Sequence, residues 1–404
     1  MILIRVAWRN IWRSRKRSLI IIIALTIGLS SGMFLIAFYS GMIEDRVNTA
    51  VRSEYSHLQI HHPAFRQDLE SVYAIPDADA VIRAIVEEPG LQAYTRRVLL
   101  PGTINSSYGS RGITICGVDP VTEDAVTGLR GKLVEGEYFD TSRLNQIIVS
   151  ERTMRKLKLN VGNKVVLTFQ DTARDIASAA FRICGMYASI NAPYDEQFVF
   201  VQRTSVDTLA GIPGKVHEIA VLMDHNEMVA PFVKKLSDQY TDAEVLSWMD
   251  LSPELRLTVS AVDQMVYIFM GIILLALAFG IVNTMMMSVL ERTHEISMLM
   301  ALGMTKARVF SMIVLETLFL VIAGSPAGFA IALTAISITR KTGVTLKGLE
   351  ELYASFGYSG IVYPVLQWHS MLTIGVMIII AACISSIFPA LRALKLKPAQ
   401  AIRK

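Results

Sequence analysis

The chain has 404 residues, of which 52% are apolar and 18% charged, with a formal net charge of +4. That balance excludes an ordinary soluble domain, in which charged residues approach about a quarter of the chain, and equally a disordered one. Four runs are long and apolar enough to cross a bilayer, which takes about 20 residues; they are 18–43, 264–290, 309–339 and 370–391, and only the third holds a charge, Glu316.

Ahead of the first run stand Arg5, Arg9, Arg13, Arg15, Lys16 and Arg17, with no acid among them. On a helical wheel Ile4, Ala7, Trp8 and Ile11 gather on one face, the basic residues spread over the other, and Trp12 lies at the boundary. This predicts a helix over 1–17 lying in the membrane interface. The run 18–43 far exceeds the roughly 7–15 apolar residues of a cleaved signal and no small-residue cleavage site follows, so it reads as an uncleaved anchor. Gly28, Ser30, Ser31 and Gly32 near its middle let a second helix approach closely. Its outer end, Met33 to Met42, suits either an adaptable groove or plain lipid contact.

Residues 44–262 read as an α+β region of two small subdomains. Strands are predicted at 58–60, 113–115, 147–149, 164–168 and 198–201, with a short helix at 153–159 closed by Asn160 and Gly162. Strand 219–223, a helix carrying Val229, Phe232, Val233, Leu236 and Tyr240, and strand 245–246 form a βαβ unit. Catalytic signatures are missing: there is no nucleotide-binding Gly-x-x-x-x-Gly-Lys-[Ser/Thr], no His-Glu-x-x-His and no Gly-x-Ser-x-Gly. His57 and His61 share a strand face, but no acid or cysteine beside them completes a metal site. Cys116 and Cys184 sit in similar contexts and are read as small buried residues, with a bridge the alternative in an oxidising compartment.

Between the second and third runs lies Glu291-Arg292-Thr293-His294-Glu295-Ile296, continuing to Met304. Glu295 to Leu302 reads as a short amphipathic helix and Gly303 as its stop. Held by a span at each end, it reads as a lever for motion delivered by a soluble partner; an ordinary basic loop is the plainer alternative. Glu316, about two turns into the third run, needs a partner at that depth, and an Arg or Lys of the basic segments is the expected one. Gly324, Ser325, Pro326 and Gly328 would kink or loosen the same helix. The N-terminal segment, residues 291–308 and the tail (Arg392, Lys395, Lys397, Arg403, Lys404) together hold fourteen bases and two acids, whereas the rest of the chain holds 25 bases and 33 acids. The basic side is therefore expected to be cytoplasmic, both termini included, with 44–262 and 340–369 outside. The basic excess reflects orientation and anionic lipid, not nucleic acid.

Asn283-Thr284-Met285, Glu291 to Ile296, Ala301-Leu302-Gly303 and Glu316 resemble the signature of FtsX-like ABC transporter permeases, the group that includes the MacB macrolide exporters and the lipoprotein-releasing permeases. Ala7-Trp8-Arg9-Asn10-Ile11-Trp12-Arg13, the run Gly136 to Val166 and Pro389 to Ala393 are similar to the same group. His57 to Pro63 and Tyr358 to Pro364 look most like its lipoprotein-releasing, LolC/LolE-type branch. Gln170 to Ala180 stands where some members of that branch carry a protruding hairpin that recruits a soluble carrier.

The resemblance implies an α-helical membrane protein of four transmembrane helices, with a large α+β periplasmic domain inserted between helices 1 and 2, in a bacterial inner membrane. The implied division is 1–17 interfacial helix, 18–43 first span, 44–262 periplasmic domain, 263–290 second span and 291–308 coupling helix. Then come 309–339 third span, 340–369 periplasmic loop, 370–391 fourth span and 392–404 cytoplasmic tail. It implies a non-catalytic subunit that binds no cofactor itself, ATP and magnesium belonging to a partner dimer of cytoplasmic ABC ATPases. A second permease subunit, alike or different, a lipoprotein substrate and a periplasmic carrier complete the implied partners. Coupling to the ATPase falls on Glu291, Arg292, His294, Glu295, Leu299, Leu302, Gly303 and Met304, and substrate contact on Met33, Phe34, Phe38, Met265, Phe269 and Met270. Drug or peptide efflux, mechanical control of a cell-wall hydrolase, and a membrane-anchored adhesin or sensor without an ATPase are the competing classes.

Overall fold

A computed structural model describes residues 2–13, 15–189, 191–345, 348, 358 and 360–394, which divide into two compact units. The tail bases Lys395, Lys397, Arg403 and Lys404, most of 346–359 and the side chain of Arg17 lie outside the described residues. The chain begins with α1 (Ile2–Arg13) and α2 (Arg15–Ala50), and a wide helical turn, Val51–Tyr55, leads into the outer unit.

That unit runs β1 (Leu58–His61), α3 (Phe65–Asp68), α4 (Ala78–Val86), β2 (Leu91–Ser106), β3 (Gly109–Val118), α5 (Pro120–Thr127), β4 (Leu133–Gly136) and β5 (Gln146–Ser150). It continues through α6 (Glu151–Leu157), β6 (Lys164–Gln170), β7 (Ile176–Tyr187), α7 (Ala192–Gln197), β8 (Phe198–Gln202) and α8 (Arg203–Asp207). The last elements are β9 (Glu218–Met223), α9 (Val229–Gln239), β10 (Glu244–Ser247) and α10 (Trp248–Leu251). Six strands close on themselves: β2 pairs β3, β3 pairs β8, β8 pairs β5, β5 pairs β7, β7 pairs β6, and β6 returns to β2. Leu100, Ile115, Ile147, Leu167, Phe181 and Val199 fill this ring, whose closure leaves those strands no free edge.

A second core lies where β10, β1, β9 and the first half of β2 are covered by Val81, Ile82 and Ile85 of α4 and by Phe232 and Leu236 of α9. These two cores share one 16-residue strand, and a third apolar cluster, with Phe65, Leu99, Phe139, Tyr187 and Phe200, lies in the same compact unit. On one edge β2 pairs β9 through Arg97 and β6 from Gly102, so it changes partner around Pro101, which has no N–H to give a ladder. The βαβ unit is present but split: β9 and β10 both run antiparallel to β1, which lies between them. Gln170 to Ala180 falls on the β6–β7 hairpin. Its tip is tied down rather than free, because the Thr172 N–H donates to Ala210 O and Arg174 pairs with Glu70.

The other unit resumes with α11 (Pro253–Glu291), α12 (Thr293–Ala301) and α13 (Lys306–Thr342). A two-strand outer pair, β11 (Val344–Thr345) with β12 (Ile361–Val362), precedes α14 (Trp368–Leu394). Among the described residues four helices, α2, α11, α13 and α14, are long and apolar enough to cross a membrane. The small residues allow close crossings: a Cβ at Gly28 or Gly32 would press on Leu277, Ile273 and Met270 of α11, and one at Gly328 on Leu29 of α2. α13 is unbroken through Pro326, with the Ser325 hydroxyl bonded to Val321 O and the Thr26 hydroxyl donating to Gly324 O.

Candidate functional site: the coupling helix and its ion-pair ring

α11 ends at Glu291, and Arg292 leaves helical geometry before α12 begins. Gly303 takes a left-handed conformation at φ +97, with its N–H on Met300 O and the Met304 N–H on Leu299 O. That is a complete Schellman stop, the reason the helix ends where the glycine stands. Ile296 and Ser297 are buried, and Ile296 joins Met285, Val289, Val309 and Ile313 in one apolar cluster. Met298 and Leu302 project outward, Leu302 being 81% exposed, while Leu299 and Met304 are half-buried and Glu291, His294 and Gly303 are exposed.

Arg292 and Glu295 of this segment are held in ion pairs with neighbouring helices. Arg292 donates from Nη1 to both oxygens of Glu316 at 3.0 and 3.2 Å, and its Nε lies 3.4 Å from Glu295. Glu295 is gripped from the other side by Arg13, Nη2 at 2.7 Å and Nη1 at 3.0 Å. The Asn10 amide donates to Glu316 at 2.5 Å. Asn10 and Arg13 lie one turn apart on α1, so the contacts close a ring through α1, α12 and the foot of α13. Glu316 is only 5% exposed, and a carboxylate so placed requires this pairing. Burial pushes the Glu295 carboxyl up, but the hydrogen bonds and charges of Arg13 and Arg292 outweigh it and hold the group below its ordinary range. α12 therefore cannot shift without either dragging α1 and α13 or breaking charge-assisted bonds.

The expected partner of Glu316 is thus Arg292, from the lever itself. Asn10 and Arg13 also belong to the site, and the sequence signals this only through Asn10 at the edge of the apolar face of α1. The six proposed substrate residues separate. Met33 and Met270 are fully buried in the bundle core, so they line no open groove in this conformation. Phe34 and Phe38 do line one of about 640 Å³, but its other wall is Ile331 and Ala335 of α13 rather than α11. Met265 and Phe269 are half-buried, and Phe269 packs edge-on against Tyr39. The histidines of the 57–62 stretch serve separately: His57 Nδ1 accepts from Met223 N, His62 Nδ1 from Ala64 N, and His61 bonds Gln59. Cys116 and Cys184 are both free thiols, with burial raising Cys184 to about 11.

Spans and site define a multi-pass membrane protein with a large extracellular domain and a charge-locked helix between its second and third spans. The MacB-like periplasmic core domain family matches residues 18–239, and the FtsX-like permease C-terminal family matches 267–398. The chain belongs to the ABC transporter permeases of the MacB/FtsX/LolC type. It is 22% identical to an uncharacterized ABC transporter permease of Methanocaldococcus jannaschii, over 99% of this chain and 97% of that one. To the lipoprotein-releasing system transmembrane protein LolC of Haemophilus influenzae it is 21% identical, over 84% and 85%. To the macrolide export ATP-binding/permease protein MacB of Rhodopseudomonas palustris it is 23% identical, over 79% of this chain but 50% of that protein. The chain spans about half the length of the MacB relatives it matches. Among solved structures, the periplasmic region of MacB from Actinobacillus actinomycetemcomitans aligns with 49% of this chain and 91% of that one, at 15% identity and a TM-score of 0.35.

Proposed function

We propose that this chain is the non-catalytic membrane subunit of a transporter driven by a separate dimer of cytoplasmic ABC ATPases, and that it lifts lipoproteins from the outer leaflet of a bacterial inner membrane. The observation that carries the reading is the ring through Asn10, Glu316, Arg292, Glu295 and Arg13, which makes the helix between spans a rigid input arm rather than a slack loop. ATP and magnesium belong to the partner, whose closure presses on α12 through the exposed Met298 and Leu302. A second permease subunit, identical or different, supplies the other half of the path. The basic excess of the N-terminal segment, of 291–308 and of the tail supports a cytoplasmic location for both termini. Similarity to LolC over most of both chains supports the lipoprotein substrate, and the hairpin at 164–187 is the surface to which a periplasmic carrier would come.

Macrolide-type efflux is the second reading, supported by the MacB relatives. The test is purification with the ATPase in nanodiscs and mass spectrometry of what is bound before and after ATP. Triacylated lipoproteins that leave on ATP addition support release. A complex that hydrolyses ATP but holds only bulk lipid moves the assignment to efflux, and failure to bind any ATPase overturns both.

A further inference from the structure

The ion-pair ring draws on Asn10 and Arg13 of α1 and leaves the rest of that helix's outward surface unused. Passing round the helix from its buried Ala7 and Ile11, the side chains come in the order Trp8, Trp12, Arg5, Arg9, Arg13 and Asn10. The first five are exposed and Asn10 is half-buried. Trp8 and Trp12 meet edge to face at 6.1 Å between centroids, and Trp8 meets Phe319 of α13 in the same way at 5.6 Å. No carboxylate among the described residues pairs with Arg5 or Arg9, nor with Arg15 or Lys16 at the start of α2.

The depth of α1 follows from its neighbours. A Cβ at Gly324 would meet Ile22 and Leu25, and one at Gly328 would meet Leu29, so α2 and α13 rise side by side in the same direction. About one turn earlier on each, Phe319 stands level with Ser18, where the first span begins and whose hydroxyl donates to Ile11 O. The two tryptophans and the two bare arginines are therefore at the level where apolar span gives way to polar surface, which is where lipid phosphates sit. A row of tryptophan beside a row of arginine matches that boundary, indole against acyl chain and guanidinium against phosphate.

Arg13 stands one turn beyond Arg9, and its pair with Glu295 is largely in water. Such a pair is weak, so a phosphodiester held at Arg9 brings a second anion beside a guanidinium that is easily won over.

We propose that the face formed by Trp8, Trp12, Arg5 and Arg9 binds the headgroup of an anionic phospholipid, and that this headgroup competes with Glu295 for Arg13. The lipid thereby regulates the ring: the richer the surface in anionic lipid, the less of Arg13 is left to α12. The inference rests on the proposed function only in treating α12 as a lever, since the binding itself needs neither ATPase nor substrate.

The test is native mass spectrometry of the full chain in micelles titrated with phosphatidylglycerol, with phosphatidylcholine and glycerol 3-phosphate as controls. Saturable retention of phosphatidylglycerol alone is expected. Each arginine contributes roughly fivefold, so Arg5→Gln/Arg9→Gln weakens retention on the order of twentyfold, while Arg5→Lys/Arg9→Lys keeps most of it. Glu295→Gln frees Arg13 and tightens retention several-fold, because coupling between two sites is reciprocal. Equal retention of the two lipids, glycerol 3-phosphate bound as tightly as the lipid, or unchanged affinity in Arg5→Gln/Arg9→Gln overturns the site. Unchanged affinity in Glu295→Gln overturns the competition. If Arg5→Gln/Arg9→Gln keeps the lipid but no longer binds the ATPase, the face belongs to that protein and the proposal fails. Loss of the transport reading alone would leave the lipid measurements untouched.

Discussion

Replacing Arg292 by alanine tests the ring at its most buried link. The substitution leaves Glu316 with Asn10 as its remaining partner in the ring, at a site where the carboxylate is 5% exposed. Removing one partner of a buried pair costs ~3–5 kcal/mol. Arg292 keeps 19% of its side chain in solvent and the Asn10 bond survives, so about 2–3 kcal/mol is expected. Glu316→Gln is milder, about 1–2 kcal/mol, because its amide oxygen still accepts from Asn10 and Arg292 can turn to Glu295 and water. The double variant Arg292→Ala/Glu316→Gln then recovers about 1 kcal/mol relative to Arg292→Ala alone, since no charge is stranded. Denaturant titration in mixed micelles, followed by circular dichroism, measures all three. If the double variant loses the full sum of the singles, the two residues are not coupled and the ring is not a unit.

Other outcomes follow from the same structure. Leu302→Asp, at an 81% exposed position, should leave the melting temperature unchanged and weaken ATPase binding by roughly tenfold, measured by titration of the ATPase onto nanodiscs. Gly41→Ala drives a Cβ into the carbonyl of Tyr363 and should cost roughly 1–3 kcal/mol in the same denaturant titration. Burial, aided by Arg52, lowers His57 to about 4 in the fold against 6.5 in the unfolded chain. The unfolded chain therefore takes up the proton first and stability falls as pH drops from 6.5 toward 4; His57→Gln should flatten that part of the pH–stability curve. Intact mass without reductant should show Cys116, Cys184 and Cys383 all reduced, with Cys184 slow to alkylate at neutral pH.

The spans were legible because a bilayer demands length and apolarity, which a sequence displays directly. The stop at Gly303 was legible because a left-handed residue favours glycine. β2 was not, since Arg96, Arg97, Pro101 and Gly102 break its alternation. Arg97 is buried because Glu123 and Glu218 converge on it from α5 and β9, which no local window contains. α4 and α5 carry cap signals in Asp77 and the Asp119-Pro120 pair, whose carboxylates accept first-turn N–H groups, although Asp77 does so from a left-handed conformation and only Asp119 from the extended one usual for a cap. At the site, the depth of Glu316 announced that a partner was needed. Which partner, and the part played by Asn10 about 300 residues away, depends on helix packing that no local pattern encodes.

The central claim is that α1, α12 and α13 transmit force as one body, and a charge swap across the exposed Arg13–Glu295 link tests it most directly. That pair contributes little stability, with side chains 66% and 35% exposed, so its loss should report on transmission rather than folding. In nanodiscs with the ATPase, Glu295→Arg is predicted to abolish ATP-driven substrate release while ATP hydrolysis continues, and Arg13→Glu/Glu295→Arg to restore much of it. Release unaffected by Glu295→Arg, or lost equally in the double swap, would contradict the account.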